Sequence, residues 1–251
     1  MADPTFTRLL GPDDPVRIGV VGCGGISHAH MRGIAEHPEL RVVSGVDIDL
    51  ARARAWCGQY DVGYAFEDWR VMLEEVHPEV VIFATWPAQH FEQVMGAVEL
   101  GVPAILCEKS FALTGRDAEE MMTACQEKGT FVMEAFMYRH APRTQVFLER
   151  VHDGTMGQVR SANASFSNLF YNPEGQNWRN RLETGGGIVY DFTCYSVNML
   201  RAVFGRPPKR VSAVGETCPV QNVIVTLHGL FDYGDGVAAR IESSQKSPFR
   251  M

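Results

Sequence analysis

No basic run occurs anywhere in the sequence. With 23 Lys plus Arg against 30 Asp plus Glu, a formal net charge of -7, the chain lacks the cationic footprint that displaces counterions from nucleic-acid phosphates or holds an anionic membrane surface. Nucleic acid and membrane are therefore not expected partners. Nothing approaches the ~20 apolar residues of a membrane-spanning helix, and the stretch around Val80 to Ala84 is strand-sized. Met1 to Pro15 carries Asp3, Asp13 and Asp14 without an apolar segment, which argues against a signal peptide and reads as a mobile tail. The six cysteines are scattered without C-x-x-C spacing; free buried thiols in a reducing cytoplasm are expected rather than a disulfide framework. His28 and His30, two apart on a predicted helix, face different ways, so no metal is expected there. Internal repeats and low-complexity segments are also missing.

What is present is an alternation of short apolar runs and helical patterns. Strands are predicted at Val16–Val21, Leu40–Val46, Val80–Thr85, Ala104–Cys107 and Thr130–Met133, with a short one near Tyr64. Helices are predicted between them at Ile26–His37, Leu50–Tyr60, Asp68–Val76, Gln89–Leu100 and Arg116–Lys128, with Gly58, Pro78, Pro87, Gly101, Pro103 and Gly129 in the loops. Buried strands alternating with helices predict an α/β unit with a doubly wound parallel sheet.

The first strand runs into Gly22-Cys23-Gly24-Gly25-Ile26-Ser27. Gly22 and Gly24 take the first two glycine places of G-x-G-x-x-G, where a residue without Cβ permits a tight turn and lets N–H groups approach a pyrophosphate. Ser27 takes the third. Glycines end many strands for turn geometry alone, so context decides. The second strand ends at Asp47, about 20 residues beyond Ser27, where a carboxylate can accept from the adenine ribose hydroxyls. That predicts NAD. Ile48 offers no cation for a 2′-phosphate, and Arg52 and Arg54 reach one only if their helix leans inward. Thr85-Trp86-Pro87 and Cys107-Glu108-Lys109-Ser110 follow strands and face the same crevice.

After Glu134-Ala135-Phe136-Met137-Tyr138-Arg139 the pattern changes. A helix at Pro142–His152 is followed by predicted strands at Val159–Ser167, Arg210–Glu216, Val223–Tyr233 and Val237–Ser244, joined by tight turns such as Tyr233-Gly234-Asp235-Gly236. This spacing predicts a second, α+β domain with a mostly antiparallel sheet. The boundaries are 1–15 for the tail, 16–138 for the dinucleotide-binding domain and 139–251 for the substrate domain. One interrupting helix opens after Gly185-Gly186-Gly187 and places Asp191, Tyr195 and Asn198 at i, i+4 and i+7, on one stripe. A triple glycine admits another backbone or a ligand. The same stripe also suits a capping Asp and a Tyr with a surface hydroxyl.

Together, Gly22-x-Gly24-Gly25-Ile26-Ser27, Glu108-Lys109, Glu134 to Arg139 and Gly185-Gly186-Gly187-x-x-x-Asp191-x-x-x-Tyr195 resemble the glucose-fructose oxidoreductase/inositol dehydrogenase/MocA family, on the branch holding dimeric dihydrodiol dehydrogenase and aldose 1-dehydrogenases. The resemblance covers Val16 to the end. It implies NAD or NADP bound by Gly22, Gly24, Gly25, Ile26, Asp47, Thr85, Trp86, His90, Glu108 and Lys109, and catalysis by Lys109, Asp191 and Tyr195. Lys109 corresponds to the lysine of the family's Glu-Lys-Pro motif, though Ser110 stands where the proline is usual and so removes a fixed φ. Family members continue with further strands beyond Met251. The resemblance thus implies an open sheet that ends early, an unpaired edge near Val237–Ser244, and association of like chains through that sheet.

The residue types suit alcohol oxidation. A phenol such as Tyr195 can remove a hydroxyl proton if an ammonium such as Lys109 favours its phenolate. Asp191 can fix a substrate hydroxyl. A lining of Asp, Lys, Tyr and Asn suits a sugar, polyol or cyclic diol. The alternative is a nucleotide-binding protein of the same fold that has lost turnover.

Overall fold

In a computed structural model of the chain, residues 13–249 are described, and their contacts divide between Ala135 and Phe136 into two units. Most of the expected tail, residues 1–12, lies outside the described residues, as do Arg250 and Met251.

In the first unit Val16–Val21 (β1), Leu40–Val46 (β2), Tyr64–Phe66 (β3), Val80–Phe83 (β4), Ala104–Cys107 (β5) and Phe131–Glu134 (β6) pair in parallel in the order β3-β2-β1-β4-β5-β6. Helices Ser27–Ile34 (α1), Leu50–Tyr60 (α2), Trp69–Val76 (α3), Pro87–Glu99 (α4) and Gly115–Lys128 (α5) connect them. Two separate apolar clusters explain why the strands read as continuous apolar runs. Val21, Phe83, Ile105, Met72, Val94 and Met121 belong to one; Ile18, Val20, Ile82, Val42 and Trp56 belong to the other. A sheet buried on both faces has no polar side to alternate with. The helix starts are chemically marked. Asp49 caps α2 through the N–H groups of Ala51 and Arg52, Asp68 caps α3, Thr114 caps α5, and Pro87 opens α4. The strand order reverses between β1 and β4, which opens a crevice at their carboxyl ends.

The second unit contains Pro142–His152 (α6), Ser161–Ser167 (β7), Cys194–Phe204 (α7), Arg210–Thr217 (β8), Ile224–Gly234 (β9) and Val237–Ser244 (β10). Its sheet has the order β7-β10-β9-β8, with β8–β9 and β9–β10 antiparallel and β7–β10 parallel. The expected unpaired edge at Val237–Ser244 is corrected here: β10 lies inside the sheet, and β7 and β8 form its edges. The reason is a long-range pairing, Ala238 with Ser161 through Ser244 with Ser167, that returns β7 alongside the last strand. Leu200 of α7 packs with Phe231, Tyr233, Val237, Ala239 and Ile241. Every residue of β8 is exposed.

Candidate active site

The glycine turn after β1 is shaped by one residue that no L side chain could replace without strain. Gly22 has φ +97°, and a Cβ there would stand 2.6 Å from the Ala84 carbonyl oxygen. At Gly24 and Gly25, by contrast, a Cβ would meet nothing within 4 Å. The turn therefore leaves backbone open just ahead of α1, the arrangement that accepts a pyrophosphate. Ser27 is fully buried. It donates to the Gly24 carbonyl (2.6 Å) and accepts from the Trp56 indole N–H (2.9 Å). A hydroxyl that small serves where the fingerprint usually has a third glycine.

A cavity of about 300 Å³ opens at this turn, lined among others by Gly22, Gly24, Asp47, Arg52, Thr85 and Trp86. Gly25, Ile26, His90, Glu108 and Lys109 do not line it. Asp47 is buried. Its Oδ2 accepts the Cys23 N–H at 3.1 Å, and its Oδ1 accepts the Asp49 N–H at 3.0 Å and Arg52 Nη1 at 3.1 Å. So Arg52 does reach inward. Burial, with the Asp47 carboxylate beside it, pushes the Cys23 thiol up to about 12, which keeps the turn's cysteine neutral.

His90 and the Glu108 loop form a second layer of the same unit. His90 is fully buried, with Nδ1 2.8 Å from the Ser110 carbonyl and Nε2 3.3 Å from the Thr85 carbonyl. Burial holds its pKa below the ordinary 6.5. A neutral ring has one N–H, and the shorter contact assigns it to Nδ1 donating to Ser110. Glu108 Oε1 meets His30 Nε2 at 2.9 Å, and Glu134 Oε1 accepts the Phe111 N–H at 2.9 Å. Burial raises the Glu134 carboxyl. The loop carrying Lys109 is thus pinned on both sides, although Ser110 replaces a proline. His28 turns instead to the Tyr60 hydroxyl at 2.5 Å. His30 and Glu134 were not singled out as site residues from the sequence; both lie at the carboxyl ends of the strands or the facing helix, which was the available signal.

In the second unit the triple glycine admits another backbone. A Cβ on Gly186 would stand 2.5, 2.7 and 2.7 Å from the carbonyl oxygens of Arg181, Arg179 and Trp178. The helix that follows is not α-helical from its start: Val189–Thr193 forms an i→i+5 turn before α7. Tyr195 and Asn198 share α7, whereas Asp191 sits in the wider turn that precedes it. Asp191 is 1% exposed and accepts from Arg179 Nε at 2.6 Å. It does not cap the helix. Tyr195 is also buried, ringed edge-on by Phe136 and Phe166 at 5.3 and 5.1 Å, with its hydroxyl 3.6 Å from Met137 Sδ. Asn198 Oδ1 accepts the Tyr138 hydroxyl at 2.6 Å. The Asp191 carboxylate is thus engaged by Arg179 rather than in a cap. Arg179 gave no sequence signal, because it lies in an irregular segment of short 3-10 turns.

Residues 16–136 match the model described as oxidoreductase family, NAD-binding Rossmann fold, and residues 144–251 match the GFO/IDH/MocA C-terminal domain. The chain belongs to the Gfo/Idh/MocA family. Its relatives in that family include trans-1,2-dihydrobenzene-1,2-diol dehydrogenase of Mus musculus, 30% identical over 226 residues that span 88% of this chain and 66% of the relative. D-xylose 1-dehydrogenase (NADP(+)) 2 of Haloferax volcanii is 28% identical over 233 residues, 92% of this chain and 70% of the relative. The chain thus spans less than two thirds of the length of the mouse dihydrodiol dehydrogenase it matches. Among solved structures, levoglucosan dehydrogenase with NADH and levoglucosan superposes with a TM-score of 0.86 at 21% identity, covering 93% of this chain and 68% of that one. Aldose-aldose oxidoreductase from Caulobacter crescentus with glycerol gives 0.85 at 23% identity, over 93% and 72%. These likenesses establish the family's two-domain fold, with an NAD-binding Rossmann domain first. None of the described helices is long and apolar enough to cross a membrane.

Proposed function

We propose that this Gfo/Idh/MocA chain is an NAD(P)-dependent oxidoreductase acting on CH–OH groups of a sugar, polyol or cyclic diol. The observation that carries the reading is the open Gly24-Gly25 backbone beside Asp47, a cradle that fits a dinucleotide. The names of the relatives, dehydrogenases of a diol and of xylose, support the substrate class.

The bound cofactor supplies a hydride acceptor, or a donor in the reverse direction. In this reading the Tyr195 phenol takes the hydroxyl proton during oxidation and returns it during reduction. The Lys109 ammonium is assigned by the family resemblance to stabilising the charge that develops on a reacting oxygen. Asp191, its carboxylate aimed by Arg179, holds a neighbouring hydroxyl and so fixes the pose. Apolar rings pack around the Tyr195 ring and fix its position. His90 and Glu134 keep the Lys109 loop in place. All six cysteines are free, which supports a cytoplasmic setting. The exposed Val214 and Leu230, which share one face of β8 and β9, support association of like chains through the sheet.

The test is a panel of aldoses, polyols and cyclic diols with NAD+ and NADP+, followed by NAD(P)H absorbance. Turnover is expected, and Tyr195→Phe should lower kcat by ~100-fold or more while leaving the dinucleotide Kd unchanged. Tight dinucleotide binding with no turnover across the panel would instead make the chain a nucleotide-binding protein without redox chemistry.

A further inference from the structure

Where α7 crosses β10 in the second unit, an apolar contact gives way to a polar one. The two elements run antiparallel. Phe204 at the end of α7 stacks on Tyr233 at 4.1 Å, beside the start of β10, while Tyr195 near its beginning stands edge-on to Phe166, the residue paired with Ser243. Leu200 between them meets Ala239 and Ile241. Ser243 and then Gln245 follow on the same strand face, Gln245 still in the ladder through its N–H to the Val225 carbonyl at 2.9 Å. On the helix, Ser196 and Thr193 precede Leu200 at i−4 and i−7, and Thr193 already has helical angles, φ −61° and ψ −32°. Ser196 is thus set toward Ser243, and Thr193 toward Gln245.

All four are buried: Gln245 is 1% exposed, Ser243 0%, Ser196 3% and Thr193 5%. None of their hydroxyls, and neither atom of the Gln245 amide, has a hydrogen-bond partner among the described residues. Ser167 is in the same condition but, as the neighbour of Phe166 on β7, faces the other side of the sheet. Burying such groups unsatisfied is costly, and protein interiors leave few voids. The serines are also too short to fill the separation that Leu200 and Ile241 set between helix and strand. Side chains that both donate and accept, converging on such a gap, suit a neutral molecule the size of water, which takes about two to four partners. We propose that ordered water bridges Thr193, Ser196, Ser243 and Gln245, a buried hydration site that ties the wide turn carrying Asp191 to β10. Thr193 closes that turn, and Ser196 follows Tyr195 in the chain. The inference uses the second unit alone and stands apart from the redox reading.

A crystal structure of the chain that resolves ordered solvent tests the site directly. At least one water is expected within about 3.2 Å of polar atoms from two or more of the four side chains. Direct hydrogen bonds among the four, with no water between them, overturn the proposal. Urea unfolding tests whether the water is shared. Gln245→Met keeps the length of the side chain but removes the amide, and the folding equilibrium constant should fall about tenfold or more, because the hydroxyls opposite lose the water it helps to hold. Ser243→Ala should lower the constant by about threefold or more. In Ser243→Ala/Gln245→Met the loss should be smaller than the product of the two single losses, since both remove the same water. Single variants as stable as wild type, or more stable, mean that the groups are dry and overturn the proposal, as does a double loss equal to the product. Thr193→Val and Ser196→Ala give the same cycle from the helix side where Gln245→Met does not fold.

Discussion

Each unit holds a buried aspartate against an arginine, and the two are held by different means. Asp47 stands at the end of a strand and takes two backbone N–H groups besides Arg52, whose side chain is 55% exposed. Asp191 is 1% exposed and takes the Nε of Arg179 at 2.6 Å; Arg179 is 33% exposed and stacks over Trp178 at 4.6 Å. In the first unit the backbone carries much of the carboxylate's solvation, so the arginine is available for other work. In the second the arginine is the less exposed of the two, so water replaces it less readily. Removing one partner of a buried pair leaves an uncompensated charge, whereas an exposed partner is replaced by water.

Arg179→Ala is therefore expected to have the largest effect on stability, a loss of about 3 kcal/mol in urea unfolding. Arg52→Ala should lose no more than about 1 kcal/mol. Equal losses would mean that backbone donors at Asp47 do not substitute for the arginine, and the contrast drawn between the two aspartates would fail.

The contrast also explains what could be read from the chain. In the first unit burial on both faces turns strands into apolar runs, and the site follows at their carboxyl ends. Gly22, Gly24, Asp47 and Thr85, expected there from the sequence, line one cavity, and β1, β2 and β5 were legible to the residue. Arg52 was legible as a cation but not as a partner of Asp47, because that depends on the tilt of α2. In the second unit the strands were legible but their order was not. Alternation says that a strand has two unlike faces and is silent on which distant strand lies beside it, so β10 was taken for an edge while β7 paired with it. The wide turn at Val189–Thr193 was invisible for a similar reason: one extra residue in a helical turn leaves no mark on composition, yet it takes Asp191 out of the α-helix that carries Tyr195.

Buried His90 and half-buried Glu134 should titrate stability in opposite directions. His90 has a depressed pKa, so its contribution is present above 6.5, the ordinary value, and is lost as pH falls through its lower folded value. His90→Gln keeps an N–H for the Ser110 carbonyl without a titrating ring, and its melting temperature should fall less steeply in acid than wild type. Glu134 has a raised pKa, so its contribution is present below 4.5 and lost as pH rises through the higher folded value. Glu134→Gln should therefore gain on wild type between about pH 4.5 and neutrality. Parallel pH profiles for wild type and His90→Gln would remove His90 as a neutral clamp on the Lys109 loop.

The smallest effect on folding is expected where the second unit's sheet is open. Val214 is 76% exposed on β8, an edge strand with every residue exposed. Val214→Lys removes little buried area and places a charge on an edge, a substitution that sheets tolerate well. Unfolding measured where the chain is monomeric should change by less than about 0.5 kcal/mol. The same variant bears on association separately. If like chains meet through this face, a lysine in place of Val214 lowers the mass seen in sedimentation, because a charge desolvated without a partner opposes the contact. An unchanged mass together with unchanged stability would leave the face as ordinary surface, and the open sheet would then differ from the buried one in exposure without differing in use.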